Sequence, residues 1–216
     1  MQEGIKKQLD TLTERYAELK VCKTEILEAY EALERCFASG NKLLVCGNGG
    51  SAADSEHIVG ELMKGFVKKR TLGNDMAACL EKTDKDYGAE LSKQLQGALP
   101  AIALDGHPGL TTAYMNDCNP KLCFAQQVYG YGNKGDVLLA ISTSGNSENI
   151  IYAAVTAKAK GLTVIGLTGN KDSKLSAKAD ICIKAPSETT HVIQELHLPI
   201  YHCLCLMLEE RFFLKN

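Results

Sequence analysis

The sequence has no excess of one charge, no long apolar run and no paired-cysteine spacing, and each absence closes off a class of function. Its 24 basic and 26 acidic residues leave a formal charge of −2, so no global basic field is present to gather nucleic acid or an anionic membrane surface. No stretch approaches the ~20 uninterrupted apolar residues that a bilayer span needs, and Met1-Gln2-Glu3-Gly4 lacks the basic-then-apolar layout of a secretory signal. A cytoplasmic protein, with no nucleic acid and no membrane among its partners, is the expectation. The nine cysteines are odd in number and contain no C-x-x-C pair, which argues against a disulfide framework, a zinc ribbon or a thioredoxin-like centre; most are expected as small core residues. Low-complexity segments are also lacking. What is present is 216 residues, 45% hydrophobic, enough to bury one substantial core in a single domain spanning 1–216.

Apolar positions Ile5, Leu9, Leu12, Tyr16, Leu19, Ile26, Tyr30 and Leu33 recur at steps of four and three, broken where Lys23 falls on the stripe. One or two amphipathic helices over 1–38 follow, either as ordinary core helices or with part of the stripe against another subunit. Beyond them, short apolar runs at Lys42–Cys46, Leu99–Leu104, Asp136–Ile141, Leu162–Leu167 and Asp180–Ile183 read as five strands. Helical stretches from Ala52 to about Met63 and from Glu148 to Lys160 follow two of them. The fold class is α/β: a doubly wound five-stranded parallel sheet with an N-terminal helical extension. Residues 66–98 fit least well and read as an inserted excursion, with a helical turn or two at Glu90–Leu95 and Lys68-Lys69-Arg70 as a solvated basic face.

Ligands of open α/β sheets bind beyond the carboxyl ends of the strands, where helix N-termini aim unpaired N–H groups at anions. The loop Ser142-Thr143-Ser144-Gly145-Asn146-Ser147 offers four hydroxyls and unhindered backbone there, which suits a phosphate monoester; a single hydroxyl would suffice merely to cap the helix. The earlier loop, Gly47-Asn48-Gly49-Gly50-Ser51-Ala52, formally satisfies G-x-G-x-x-A. No second strand ending in an acidic residue follows about 20 residues on, so a dinucleotide fingerprint is set aside, and no Gly-Lys-Ser/Thr completes a Walker loop. His57 and Glu61 stand four apart and share a helix face. Gln194 and His202, eight apart in the C-terminal segment Thr189–Phe213, lie on nearly one side, with Pro199 between them as an expected kink. Together His57, Glu61, Gln194 and His202 make a mixed N/O set suited to a borderline divalent metal. His191 and His197 read as packed or exposed side chains, and His107 lies near the same rim without an assigned role.

The ordered set of Cys46-Gly47-Asn48-Gly49-Gly50-Ser51-Ala52-Ala53-Asp54 with His57 and Glu61, Asn116-Asp117, Gly135–Leu139 running into Ile141–Ser147, and Ile193-Gln194-Glu195 with His197 and His202 resembles the sugar isomerase (SIS) domain family, and within it the phosphoheptose isomerases. The resemblance implies a flavodoxin-like SIS fold, a homotetramer with sites shared between subunits, and zinc held by His57, Glu61, Gln194 and His202. It also implies interconversion of a ketose phosphate and an aldose phosphate through an enediolate, most readily sedoheptulose 7-phosphate to a heptose 7-phosphate. In that scheme Glu61 is the base and His202 the acid, Ser142, Thr143, Ser144 and Ser147 hold the phosphate, and Asn48, Gly49, Ser51, Asp117 and Gln194 meet sugar hydroxyls or metal. The chain departs from those isomerases in the excursion at 66–98 and in His191-Val192. The competing readings are a non-catalytic SIS module that binds a protein, and a sugar-phosphate sensor.

Overall fold

A computed structural model describes residues 3–213. Five strands, β1 (Leu43–Cys46), β2 (Ala101–Ala103), β3 (Val137–Ile141), β4 (Thr163–Gly169) and β5 (Ile181–Ala185), form one all-parallel sheet in the order β2-β1-β3-β4-β5. The helices are α1 (Glu3–Arg15), α2 (Lys23–Ala38), α3 (Gly50–Met63), α4 (Asn74–Thr83), α5 (Lys85–Gln94), α6 (Pro108–Asp117), α7 (Cys123–Tyr131), α8 (Glu148–Ala159) and α9 (Thr190–Phe212). Central strands read as continuous apolar runs because both faces are covered. Leu43, Val45, Val137, Leu139 and Ile141 enter the core beneath α1, α2, α3 and α9, while Leu44, Cys46, Leu138 and Ala140 enter the one beneath α7 and α8. All five expected strands and the doubly wound plan are present.

The N-terminal stripe is absorbed by its own chain: Ile5, Leu9, Leu12, Leu19, Ile26, Tyr30 and Leu33 are all buried, and α1 lies along α9. Of the stripe only Tyr16 stays partly exposed. The break falls at Ala17–Cys22, a short 3-10 helix, and not at Lys23, which starts α2 and pairs with Asp10 at 2.7 Å. The helix α9 runs unbroken through Pro199.

The excursion is more ordered than expected. In place of a turn or two it holds a helical hairpin, α4 and α5, packed so closely that a Cβ on Gly88 would stand 2.0 Å from the Leu80 carbonyl oxygen. Its neck is closed by an antiparallel bridge between Thr71 and Gln96 and by the Gly97 N–H donating to the Arg70 carbonyl. No helix of the described residues is long and apolar enough to cross a membrane. The nine cysteines are free, and six of them are buried.

Candidate active site

The chain leaves β1 toward β2 on one side and β3 toward β4 on the other, so the loops after β1 and β3 diverge at the point where ligands of such sheets bind. In the first loop Gly49 adopts φ +57° as the residue preceding α3, a conformation that a side chain would strain. Gly50 lets Gln194 of α9 approach so closely that a Cβ there would lie 2.6 Å from its Nε2. Ser51 is buried in the first turn of α3. Asn48 is exposed and clasps Asn149 of α8 by two reciprocal amide bonds of 3.0 and 2.8 Å. The two loops are thereby tied together.

In the second loop Gly145 takes φ +63°, and a Cβ there would stand 2.1 Å from Ser173 Oγ. Ser147 precedes α8 but caps it with no side-chain bond; its hydroxyl oxygen accepts from Ser142 Oγ at 3.2 Å. Ser144 Oγ accepts from the Asn146 N–H at 3.2 Å. Helix capping therefore does not account for the hydroxyls of this loop. Thr143 and Ser144 line a hollow of about 260 Å³ together with Asn146 and Lys171.

Two to three turns along the same helices, α3 and α9 bring a second group together. His57 Nε2 lies 3.2 Å from Glu61 Oε1, and Lys64 Nζ lies 3.2 Å from Glu61 Oε2. His57 and His202 cross edge-to-face with ring centres 5.0 Å apart. His202 Nε2 is buried without a hydrogen-bond partner among the described residues. Burial lowers the pKa of His202, His57 lowers it further, and the Glu61 carboxylate opposes both. His202 lines a different hollow, of about 280 Å³, with Arg15 of α1, Tyr16 just after it and Phe66. One chain thus presents two half-sites, the glycine loop against Gln194 tied to the hydroxyl loop, and a His–Glu–His group. From Gln194 to His202 is eight residues of helix, about 12 Å.

Known proteins resemble this chain along most of its length. The SIS domain family model matches residues 7–99 and 90–169. A phosphoheptose isomerase of Rhodospirillum rubrum is 34% identical over 210 residues, covering 97% of this chain and 98% of that one. The chain belongs to the SIS domain family, in its phosphoheptose isomerase branch. Among solved structures, a phosphoheptose isomerase from Francisella tularensis aligns with a TM-score of 0.71 at 31% identity, over 94% of this chain and 98% of that chain. One from Neisseria gonorrhoeae aligns at 0.66 and 30%, over 91% and 96%.

Within this SIS domain some expected residues stand apart. Asp117 ends α6 exposed, accepting from its neighbour Asn116 Nδ2 at 2.8 Å, and none of the contacts described joins it to either half-site. His197 is a packed core residue, fully buried with Nε2 3.2 Å from the Thr168 carbonyl oxygen. The basic triplet corrects an expectation. Arg70 is not solvated but 2% exposed, donating from Nε to Glu209 Oε1 at 2.8 Å and from its two terminal nitrogens to the carbonyls of Leu62 and Glu61 at 2.7 and 2.8 Å. Glu209 also accepts the N–H groups of Phe66, Val67 and Lys68. Burial alone would raise the Glu209 carboxyl, but the Phe66 and Val67 N–H groups and the Arg70 guanidinium outweigh it and hold it below the usual glutamate value. The end of α3 that carries Glu61 is thereby pinned to α9. Sequence reading missed both partners of this pair, and also Tyr201, whose hydroxyl lies 3.0 Å from His57 Nδ1.

Among the described residues no group of three or more His, Cys, Asp or Glu is gathered closely enough to hold a metal ion by itself. The donor chemistry nevertheless fits one, since the orphaned His202 Nε2 stands beside the His57–Glu61 pair and two imidazoles with a carboxylate are ordinary zinc ligands.

Proposed function

We propose that this chain is an aldose–ketose isomerase that converts sedoheptulose 7-phosphate to a heptose 7-phosphate through an enediolate. The observation that carries the reading is the convergence of His57, Glu61 and His202 where the second half of α3 packs against the middle of α9. A scaffold or sensor has no physical need for a carboxylate and an imidazole set face to face. The reaction moves a proton between adjacent carbons. Glu61 takes it from one carbon, and His202, which burial and His57 bias toward the uncharged imidazole, donates its ring N–H proton to the developing oxyanion. Ser142, Thr143, Ser144 and Ser147 grip the phosphate, using binding energy remote from the reacting carbons to place them. Asn48, Gly49, Ser51 and Gln194 meet the sugar hydroxyls, and Asp117, apart from both half-sites in one chain, joins them only across a second copy.

His57, Glu61 and His202 would hold zinc, with Gln194 joining them only where a second copy brings the half-sites together, and the ion would supply Lewis-acid stabilisation of the oxyanion when bound. The protein is a cytoplasmic homotetramer in this reading, and the separation of the two half-sites in one chain supports a site completed by a second copy. Incubating the purified protein with C5 to C7 ketose phosphates, with and without chelator, and following aldose formation by NMR tests the proposal. Glu61→Gln is expected to lose about 10³-fold in kcat while KM changes by less than about threefold. No turnover on any of these sugars would overturn the reading in favour of a binding module.

A further inference from the structure

Tyr201 of α9 is 1% exposed, yet its hydroxyl reaches two side chains on one face of α3, three residues apart. It donates to Asp54 Oδ1 at 3.2 Å, and its oxygen lies 3.0 Å from His57 Nδ1. A phenol has one proton to give. With that proton on Asp54, the phenol oxygen is left as an acceptor, so His57 Nδ1 must be the donor across the 3.0 Å contact. The tautomer is then set: His57 carries its proton on Nδ1, and the lone pair of Nε2 points at Glu61 Oε1, 3.2 Å away. Two electron-rich atoms at that distance call for a cation or a further proton between them. The rings of Tyr201, His57 and His202 also cross one another edge-to-face, with centres 5.0 to 5.5 Å apart, which limits rotation of the imidazole.

We infer that Asp54 and Tyr201 form a relay that positions His57, holding it as the Nδ1–H tautomer and presenting Nε2 to a divalent cation beside Glu61. The inference deepens the isomerase reading and rests on it for the role of the cation, although the tautomer itself does not depend on catalysis. Neither residue touches the reacting carbons; both act through the imidazole. Outer partners of this kind change metal affinity by about 10- to 100-fold when lost.

The test uses the full chain, zinc alone as the probe in competition with a chromogenic chelator, and ring-nitrogen NMR of the histidines. Tyr201→Phe keeps the aromatic packing and is expected to bind zinc about 10- to 100-fold more weakly. Its kcat should fall, with KM for sedoheptulose 7-phosphate within about twofold of wild type. Asp54→Ala makes a sharper change, because the freed phenol proton turns to Nδ1 and His57 inverts to the Nε2–H form. Should Tyr201→Phe fail to fold, that inversion decides alone. Wild-type zinc affinity in Tyr201→Phe, or an unchanged His57 tautomer in Asp54→Ala, overturns the relay. Absence of isomerase turnover in the wild-type protein would overturn the functional reading instead, leaving the zinc and NMR results to decide the relay independently.

Discussion

His197 shows how far one buried side chain can bias the stability of the chain. Burial pushes its pKa down to about 4, against a smaller opposing effect of the Thr168 carbonyl. In the unfolded chain it titrates near 6.5, so between these values the unfolded state binds more protons and folding weakens as pH falls. The stabilising effect is whole above about pH 6.5 and is lost progressively down to pH 4. Its size is on the order of 3 kcal/mol. His197→Gln, which keeps a donor toward Thr168, is expected to flatten this dependence, as read from denaturant midpoints at pH 5 and pH 7. The sequence left His197 as a packed or exposed side chain, and the structure makes it packed. The role of Tyr201 was not legible, since a tyrosine on the buried stripe of a helix looks like any other core ring until Asp54 and His57 are seen beneath it.

At the scale of elements, the Arg70–Glu209 pair joins the end of α3 to α9 across a sequence separation of 139. Arg70→Met leaves Glu209 buried with its positive partner gone and should cost about 3–5 kcal/mol in chemical denaturation. Arg70→Lys should recover little of it, because an ammonium cannot reproduce three directed donors. Nothing local distinguishes Arg70 from the two lysines before it, so a solvated face was the natural reading. The hairpin behaves in the opposite way. The helix α4 buries no residue and α5 only Gly88, so replacing residues 72–95 by a short Gly-Ser link is expected to move the thermal midpoint by only a few degrees. A collapse of the midpoint would mean that the hairpin supports the core. Its helices were hard to read because their apolar residues face each other or solvent and not the sheet, which weakens the periodic signal.

For the whole molecule, the strands were legible because burial on both faces makes each an unbroken apolar run, and their alternation with helices then fixes a parallel, doubly wound sheet. The division into two half-sites was not legible, since spacing along a helix gives a side chain's face but not which hollow it lines. If a second copy completes the site, light scattering should give a mass near four chains, and dilution below the assembly threshold should abolish turnover with little change in helical content.

The reciprocal amide clasp between Asn48 and Asn149 has a consequence for how a ligand is held. The serine turn and the glycine turn are joined by it, so a shift in one is passed to the other. On the proposed site, affinity for the tail of a ligand and alignment of its head would therefore move together.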